Sequence, residues 1–286
     1  MSHNFLAPNR SDFPLTADPQ NTSDPRGVSI DSVGIDRVMA PLLIAGWSCE
    51  EAPRELPCRI SCSVSLASGN RGIHMSRMVE TISAWREAVT PDTLPRLLQV
   101  LADSQGSTSA EIRVAFTWFQ KRQSPLSRIS APQAIETLYW AELPSSRHGF
   151  RVNVPVTTLC PCSRDISDYG AHSQRGWIEA TLGWHGTAAA VPPETIVTNL
   201  GECGSAPIYP VLKRSDERAL TMQAYDNPAF VEDLARNAVL ALRDLECVED
   251  FSLEIRNEES IHTHDAVARI VGRGMQTANI FSDLHE

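Results

Sequence analysis

Twice along this chain the residue pattern runs through one order, strand, strand, helix, helix, strand, strand, and that repetition is the tightest constraint on its fold. Residues 28–35 alternate, and Cys58-Arg-Ile-Ser-Cys-Ser-Val-Ser-Leu66 is polar at nearly every second place, the period-two pattern of half-buried strands. Met75 to Ala88 and Thr93 to Ala102 read as helices, the second with Leu94, Leu97, Leu98 and Leu101 at helical spacing. Strands follow at 111–120 and 134–142. The second half has strands at 150–158 and 176–184, then helical segments, then strands at 251–256 and 265–271. Its clearest helix spans Pro228 to Leu245, where Phe230, Leu234, Val239, Leu242 and Leu245 make an apolar stripe. Such an order predicts an α+β fold with antiparallel sheets and helices packed on one face. Its recurrence predicts duplication, with halves at 27–145 and 146–275 meeting in the polar stretch Pro144-Ser-Ser-Arg-His148. Four prolines among Asn, Asp and Ser mark residues 1–26 as a flexible arm, and 276–286 is a tail.

Composition narrows the partners. At 286 residues and 42% hydrophobic the chain can bury a large core. A net charge of -10 argues against gripping a nucleic-acid backbone, which needs a broad basic surface, yet leaves a single nucleotide as a possible ligand. No apolar run approaches the roughly 20 residues that cross a bilayer, so no membrane partner is expected. The seven cysteines are odd in number and lack a framework spacing, and the first residues do not read as a secretory signal, so a cytoplasmic protein with reduced thiols is expected.

Chemistry concentrates in two short segments. Cys160-Pro161-Cys162 ends a predicted strand that Pro161 cannot continue, so the thiols can leave the sheet. They serve either as small buried residues or as a ligand or nucleophile; a structural zinc site would want a second cysteine pair, which the chain lacks. His172 lies in a loop between Gly170 and a polar run. Downstream, His262 and His264 alternate and would share a face of an extended segment, with Glu259 reaching the same region. Thiol, imidazole and carboxylate together make a catalytic metal site, although the second segment alone is also an ordinary polar hairpin. Glu217 and Glu232 lie on helical segments, the latter beside the apolar stripe, where it can face a cleft or solvent. Arg71, His74 and Arg77 gather at a helix start, which suits an anion because free N–H groups and the helix dipole add to the cationic side chains.

Taken together, Leu159-Cys-Pro-Cys-Ser163, Tyr169-Gly-Ala-His-Ser-Gln-Arg175, Gly72-Ile-His-Met-Ser-Arg77 and Glu258-Glu-Ser-Ile-His-Thr-His264 resemble the prokaryotic GTP cyclohydrolase I type IB family, in order from about Gly27 to Gly274. The resemblance implies tandem tunnelling-fold (T-fold) halves and a homotetramer with active sites at subunit interfaces. The implied reaction takes GTP and water to formate and 7,8-dihydroneopterin triphosphate, the entry to folate-type pterins. The implied catalytic residues are Cys160 and His172. Cys160, Glu217 and His262 would hold a divalent ion, zinc, manganese or iron, with Glu259 beside it. Glu232 would anchor guanine, and Arg71, His74 and Arg77, with Arg164 or Lys213, would meet the triphosphate. Two other readings use the same residue types: a T-fold nitrile reductase of 7-deazaguanine metabolism, which needs a nicotinamide cofactor, and a non-catalytic metal-binding protein.

Overall fold

Alternation along the chain becomes one antiparallel sheet in the computed structural model, which describes residues 20, 22–49, 51–186, 191–243, 245 and 250–272. The tail expected at 276–286 and most of the arm expected at 1–26 lie outside the described residues. The strands are β1 (Ile30–Ile44), β2 (Arg54–Leu66), β3 (Ala110–Gln123), β4 (Ser130–Leu143), β5 (Arg147–Leu159), β6 (Ser173–His185), a short β7 (Ala206–Pro207), β8 (Asp250–Asn257) and β9 (Ala266–Val271). All except β7 lie side by side in chain order, and β7 attaches to β5. Alternate residues face the core: Cys58, Ile60, Cys62 and Val64 on β2, Ile112, Val114 and Phe116 on β3, Val152, Val154 and Val156 on β5.

The helices are α1 (Met75–Ala84), α2 (Leu94–Gln105), α3 (Pro161–Ile166), α4 (Pro193–Gly201), α5 (Arg214–Asp226) and α6 (Val231–Arg243). Of these α1, α2, α4 and α6 cover that apolar face, while α3 buries no residue and α5 packs in a small cluster with Leu159 and Ala206. Leu94, Leu97, Leu98 and Leu101 of α2, and Leu234, Ala238 and Leu242 of α6, join the strand residues in one continuous core. Each fully buried leucine adds about 1.5–3 kcal/mol. Among the described residues no helix is long and apolar enough to cross a membrane.

Several boundaries moved, each for a local reason. The helix expected to reach Ala88 ends at Ala84, because Val89 is taken by β1: its N–H donates to Leu43 O at 2.7 Å and its carbonyl accepts from Ala45 N at 2.9 Å. β1 runs on past residue 35 through a register shift between Ile35 and Val38, where Arg37 has φ 56° and breaks the alternation. α2 continues beyond Ala102 until Gly106 takes a left-handed conformation and caps it. The helix expected from Pro228 starts at Val231, and Phe230 is exposed outside its stripe. Arg147 and His148, read as a polar turn, are buried in β5, where Arg147 pairs with Asp250 at 3.3 Å and His148 packs edge-on against Trp184.

Where the halves meet, β4 and β5 pair only from Ala141↔His148 to Thr137↔Val152. Beyond that they part, while β3 and β4 stay paired to Gln123↔Ser130 and β5 and β6 to Leu159↔Ser173. One end of the sheet is therefore split into two hairpins. β7 fills the inner edge of the split, pairing with Val156 and Thr157, and Ser205 receives Leu159 N on its Oγ at 3.0 Å.

Burial pushes the Cys58 thiol up to about 12 and those of Cys62 and Cys203 to about 11, whereas Cys162 is exposed. A thiol reagent at pH 8 should therefore label Cys162 in the folded protein and spare Cys58, Cys62 and Cys203 until denaturant is added, as peptide mass mapping would show. Equal labelling of all four without denaturant would contradict this packing.

Candidate active site

The split end of the sheet gathers the reactive side chains. Leu159 and Ser173 face each other as the last pair of β5 and β6, so residues 160–172 must turn back over that end. Cys160 N donates to His172 O at 3.1 Å and closes the connection. Pro161 stands at the first position of α3, where its missing N–H costs nothing, and Cys160 becomes the N-cap with its Sγ accepting from Ser163 N at 3.5 Å. Ser163 Oγ donates to Cys160 O at 3.3 Å and accepts from His172 N at 3.1 Å, locking cysteine and histidine to one frame. Cys162 points to solvent.

The β8–β9 connection reaches the same place. β8 lies beside β6 with Gly176↔Asn257 paired, and Glu258 N donates to Arg175 O at 2.9 Å. Gly176 has no room for a side chain: an added Cβ would lie 2.8 Å from Asn257 Oδ1 and 3.0 Å from Thr158 Cγ2. This close approach brings Glu259 Oε2 to 3.8 Å from His172 Nδ1, with both side chains mostly buried. His172 Nδ1 is also 2.9 Å from Gln174 Oε1. His262 and His264 do not sit on an extended segment as expected. They lie in an exposed turn closed by His262 N to Glu259 O at 3.2 Å, and their rings stack with centroids 5.1 Å apart.

Beside these groups, between the β5–β6 end, β7 and α5, lies a cavity of about 490 Å³, bordered by Gly170, Ala171, Arg175, Tyr209, Glu217 and Tyr225. Glu217 is exposed on the first turn of α5 and faces this space. Its neighbour Asp216 is fully buried and accepts from Leu126 N and Ser127 N at 2.9 Å, Ser127 Oγ at 2.5 Å and Lys213 N at 2.8 Å. Those bonds hold its carboxyl well below the usual carboxylate range and fasten α5 to the tip of the β3–β4 hairpin across the split. Glu232 lies on the first turn of α6, exposed to solvent and off the apolar face. The segment before α6 is tied to the site end through Ala229 N to Leu159 O at 3.0 Å. Arg164 stacks over Tyr225 at 4.7 Å.

Arg71, His74 and Arg77 are elsewhere. They follow β2, whose last residues pair with the start of β1 and, at Val64, with Ala110 at the start of β3. That is the unsplit end of the sheet, a full strand length of about 40 Å from Cys160 at about 3.3 Å per residue. Within one chain, then, the structure joins Cys160, His172 and Glu259, puts Glu217 on the neighbouring cavity and His262 in the turn that Glu259 closes, and leaves Glu232 exposed on α6 and the arginine cluster at the far end. Among the described residues no three His, Cys, Asp or Glu side chains form a ready-made metal cage. Sequence reading passed over Gln174, Ser163 and Asp216; the signal for Asp216 was an acid at the third position of a helix, obscured by a lysine at the cap.

The class is that of an α+β protein built on one antiparallel sheet, with a cysteine, a histidine and a carboxylate brought together at its split end. The fold is that of uricase from Arthrobacter globiformis, with a TM-score of 0.52 over 87% of this chain and 96% of that one at 8% identity, a likeness of fold alone. Residues 16–268 match the family described as type I GTP cyclohydrolase folE2, and the chain belongs to that family. It is 35% identical over 259 residues to the GTP cyclohydrolase FolE2 of Geobacter sp. strain M21, covering 90% of this chain and 95% of that protein. It is 37% identical over 253 residues to the FolE2 of Thermotoga maritima, covering 88% and 95%. Among the readings that the motifs left open, the family selects the cyclohydrolase.

Asp216→Ala should leave three amides without an acceptor. Hydrogen exchange at Leu126, Ser127 and Lys213 should speed up together and the melting temperature should fall, with little change at the helix α2 amides. Unchanged exchange at the β3–β4 tip would show that the clamp is not holding it.

Proposed function

We propose that the split end of the sheet hydrolyses the imidazole ring of GTP, releasing formate and yielding 7,8-dihydroneopterin triphosphate, with Cys160 and His172 as the reacting protein groups. The observation that carries this is the frame joining them: Cys160 N to His172 O at 3.1 Å, with Glu259 at 3.8 Å from the imidazole. Opening the ring at C8 needs an activated water and a proton for the departing nitrogen. His172 supplies that proton, since an imidazole can both give and take one. Glu232 accepts from the ring N–H and amino group of guanine, a pair of donors that a carboxylate matches.

The donors for a divalent ion fit in kind: thiol, imidazole and carboxylate come from three connections that converge on one end of the sheet. Cys160, Glu217 and His262 would hold zinc, manganese or iron, with Glu259 next to them. Glu217 and His262 are exposed, so both side chains are free to swing toward the partly buried Cys160. When bound, such an ion supplies Lewis-acid activation of water near neutral pH.

The triphosphate calls for a second subunit. Arg71, His74 and Arg77 lie a strand length from their own chain's Cys160, so they serve a neighbour's site, and two duplicated T-fold halves per chain assemble as a homotetramer with interfacial sites. The reaction is tested by formate release from GTP and by pterin fluorescence after oxidation. Cys160→Ala should abolish turnover with the melting temperature preserved. His172→Asn should slow ring opening by about two to four orders of magnitude while GTP binding persists. Wild-type rates in both would remove this assignment.

Interfacial assembly has its own check. Cys160→Ala and Arg77→Ala, each inactive alone, should regain part of the activity when co-expressed or refolded together, because some interfaces then pair an intact Cys160 with an intact Arg77. No recovery in verified mixed oligomers would return the arginine cluster to a structural role.

A further inference from the structure

The imidazole of His172 sits in a chain of hydrogen bonds whose direction can be read. Thr158 is fully buried in β5, directly opposite Gln174 in the β5–β6 register. Gln174 Nε2 donates to Thr158 Oγ1 at 3.1 Å, and its Oε1 is 2.9 Å from His172 Nδ1. An amide oxygen only accepts, so the bond forms only if Nδ1 carries the hydrogen. Glu259 Oε2, also an acceptor, is 3.8 Å from the same nitrogen. Turning the amide over would place a lone pair on Nδ1 opposite the carboxylate, two acceptors facing each other. Glu259 therefore removes the ambiguity that a lone glutamine would leave.

We propose that Gln174 is a positioning residue that fixes His172 in the Nδ1–H tautomer and makes Nε2 the atom that exchanges protons with substrate. This rests on the catalytic reading of His172 given above. In the donating step the imidazolium loses its Nε2 proton to the departing ring nitrogen, whose bond to C8 breaks, and the electron pair of the N–H bond stays on Nε2. The imidazole left behind is already the tautomer that Gln174 holds. Water reprotonates Nε2, and no ring flip or tautomer exchange is needed between turnovers. The arrangement is set by the strand register, which puts Thr158 beneath Gln174.

The test is the imidazole nitrogen spectrum of full-length protein labelled with 15N-histidine, with His172 assigned by comparison with His172→Asn. At a pH where the ring is neutral, wild type should show a protonated Nδ1 and a bare Nε2. Gln174→Leu should shift His172 toward the Nε2–H form and lower kcat by about 10- to 100-fold, the usual cost of losing a group that orients a working imidazole, with the KM for GTP little changed. Gln174→Glu, still an acceptor, should keep the wild-type tautomer. If Gln174→Leu does not fold, Thr158→Val removes the bond that orients the amide and should itself mix the tautomers. A wild-type spectrum with Nε2 protonated, or a Gln174→Leu variant with wild-type tautomer and kcat, would overturn the proposal. An active His172→Asn variant would instead sink the catalytic reading while the spectrum still reported on the tautomer.

Discussion

The ladder between β4 and β5 holds from Ala141↔His148 to Thr137↔Val152 and then stops, and most of what matters here depends on that stop. At one end it binds the two halves of the chain into a single sheet. At the other it lets two hairpins diverge, which opens backbone groups on β5 that β7 and Ser205 then satisfy. The cavity lies on the β5–β6 side of that divergence, against β7 and α5. Asp216 spans the divergence with three hydrogen bonds accepted from Leu126 and Ser127 and a fourth from the cap of its own helix, while the residue next to it, Glu217, is exposed.

Fastened and exposed groups are divided accordingly. Cys160 and His172 are fastened by backbone bonds and by Ser163, and Gln174 and Glu259 flank the imidazole. The groups proposed to close on a metal or substrate, Glu217, Glu232 and His262, are solvent-exposed side chains on first turns of helices or in a hairpin turn.

The strands and the amphipathic helices were legible because their periods are local: alternation in Cys58 to Leu66 and the four leucines of α2 each report a buried face without reference to the rest of the chain. Errors came where a distant partner took over the backbone, as when β1 captured Val89 and ended α1 early. The two histidines at 262 and 264 show the same limit. Their spacing fits an extended strand, but closure of Glu259 onto His262 makes a turn in which the two rings stack.

By itself the sequence determined the class of fold, the family, and the residue types of the chemistry, because hydrophobic period and the short motifs around Cys160, His172 and Glu259 are written in consecutive residues. Tertiary structure alone decided which of those motifs meet. Antiparallel pairing sends Cys160 and Glu259 to one end of the sheet and Arg71 and Arg77 to the other, a fact of strand direction and register that no local pattern encodes. It also decided the contacts of the quiet residues. Thr158, Gln174 and Asp216 look ordinary in the sequence; pairing of β5 with β6 sets Thr158 against Gln174, and the fold brings Asp216 within 2.9 Å of Leu126 N, 90 residues away.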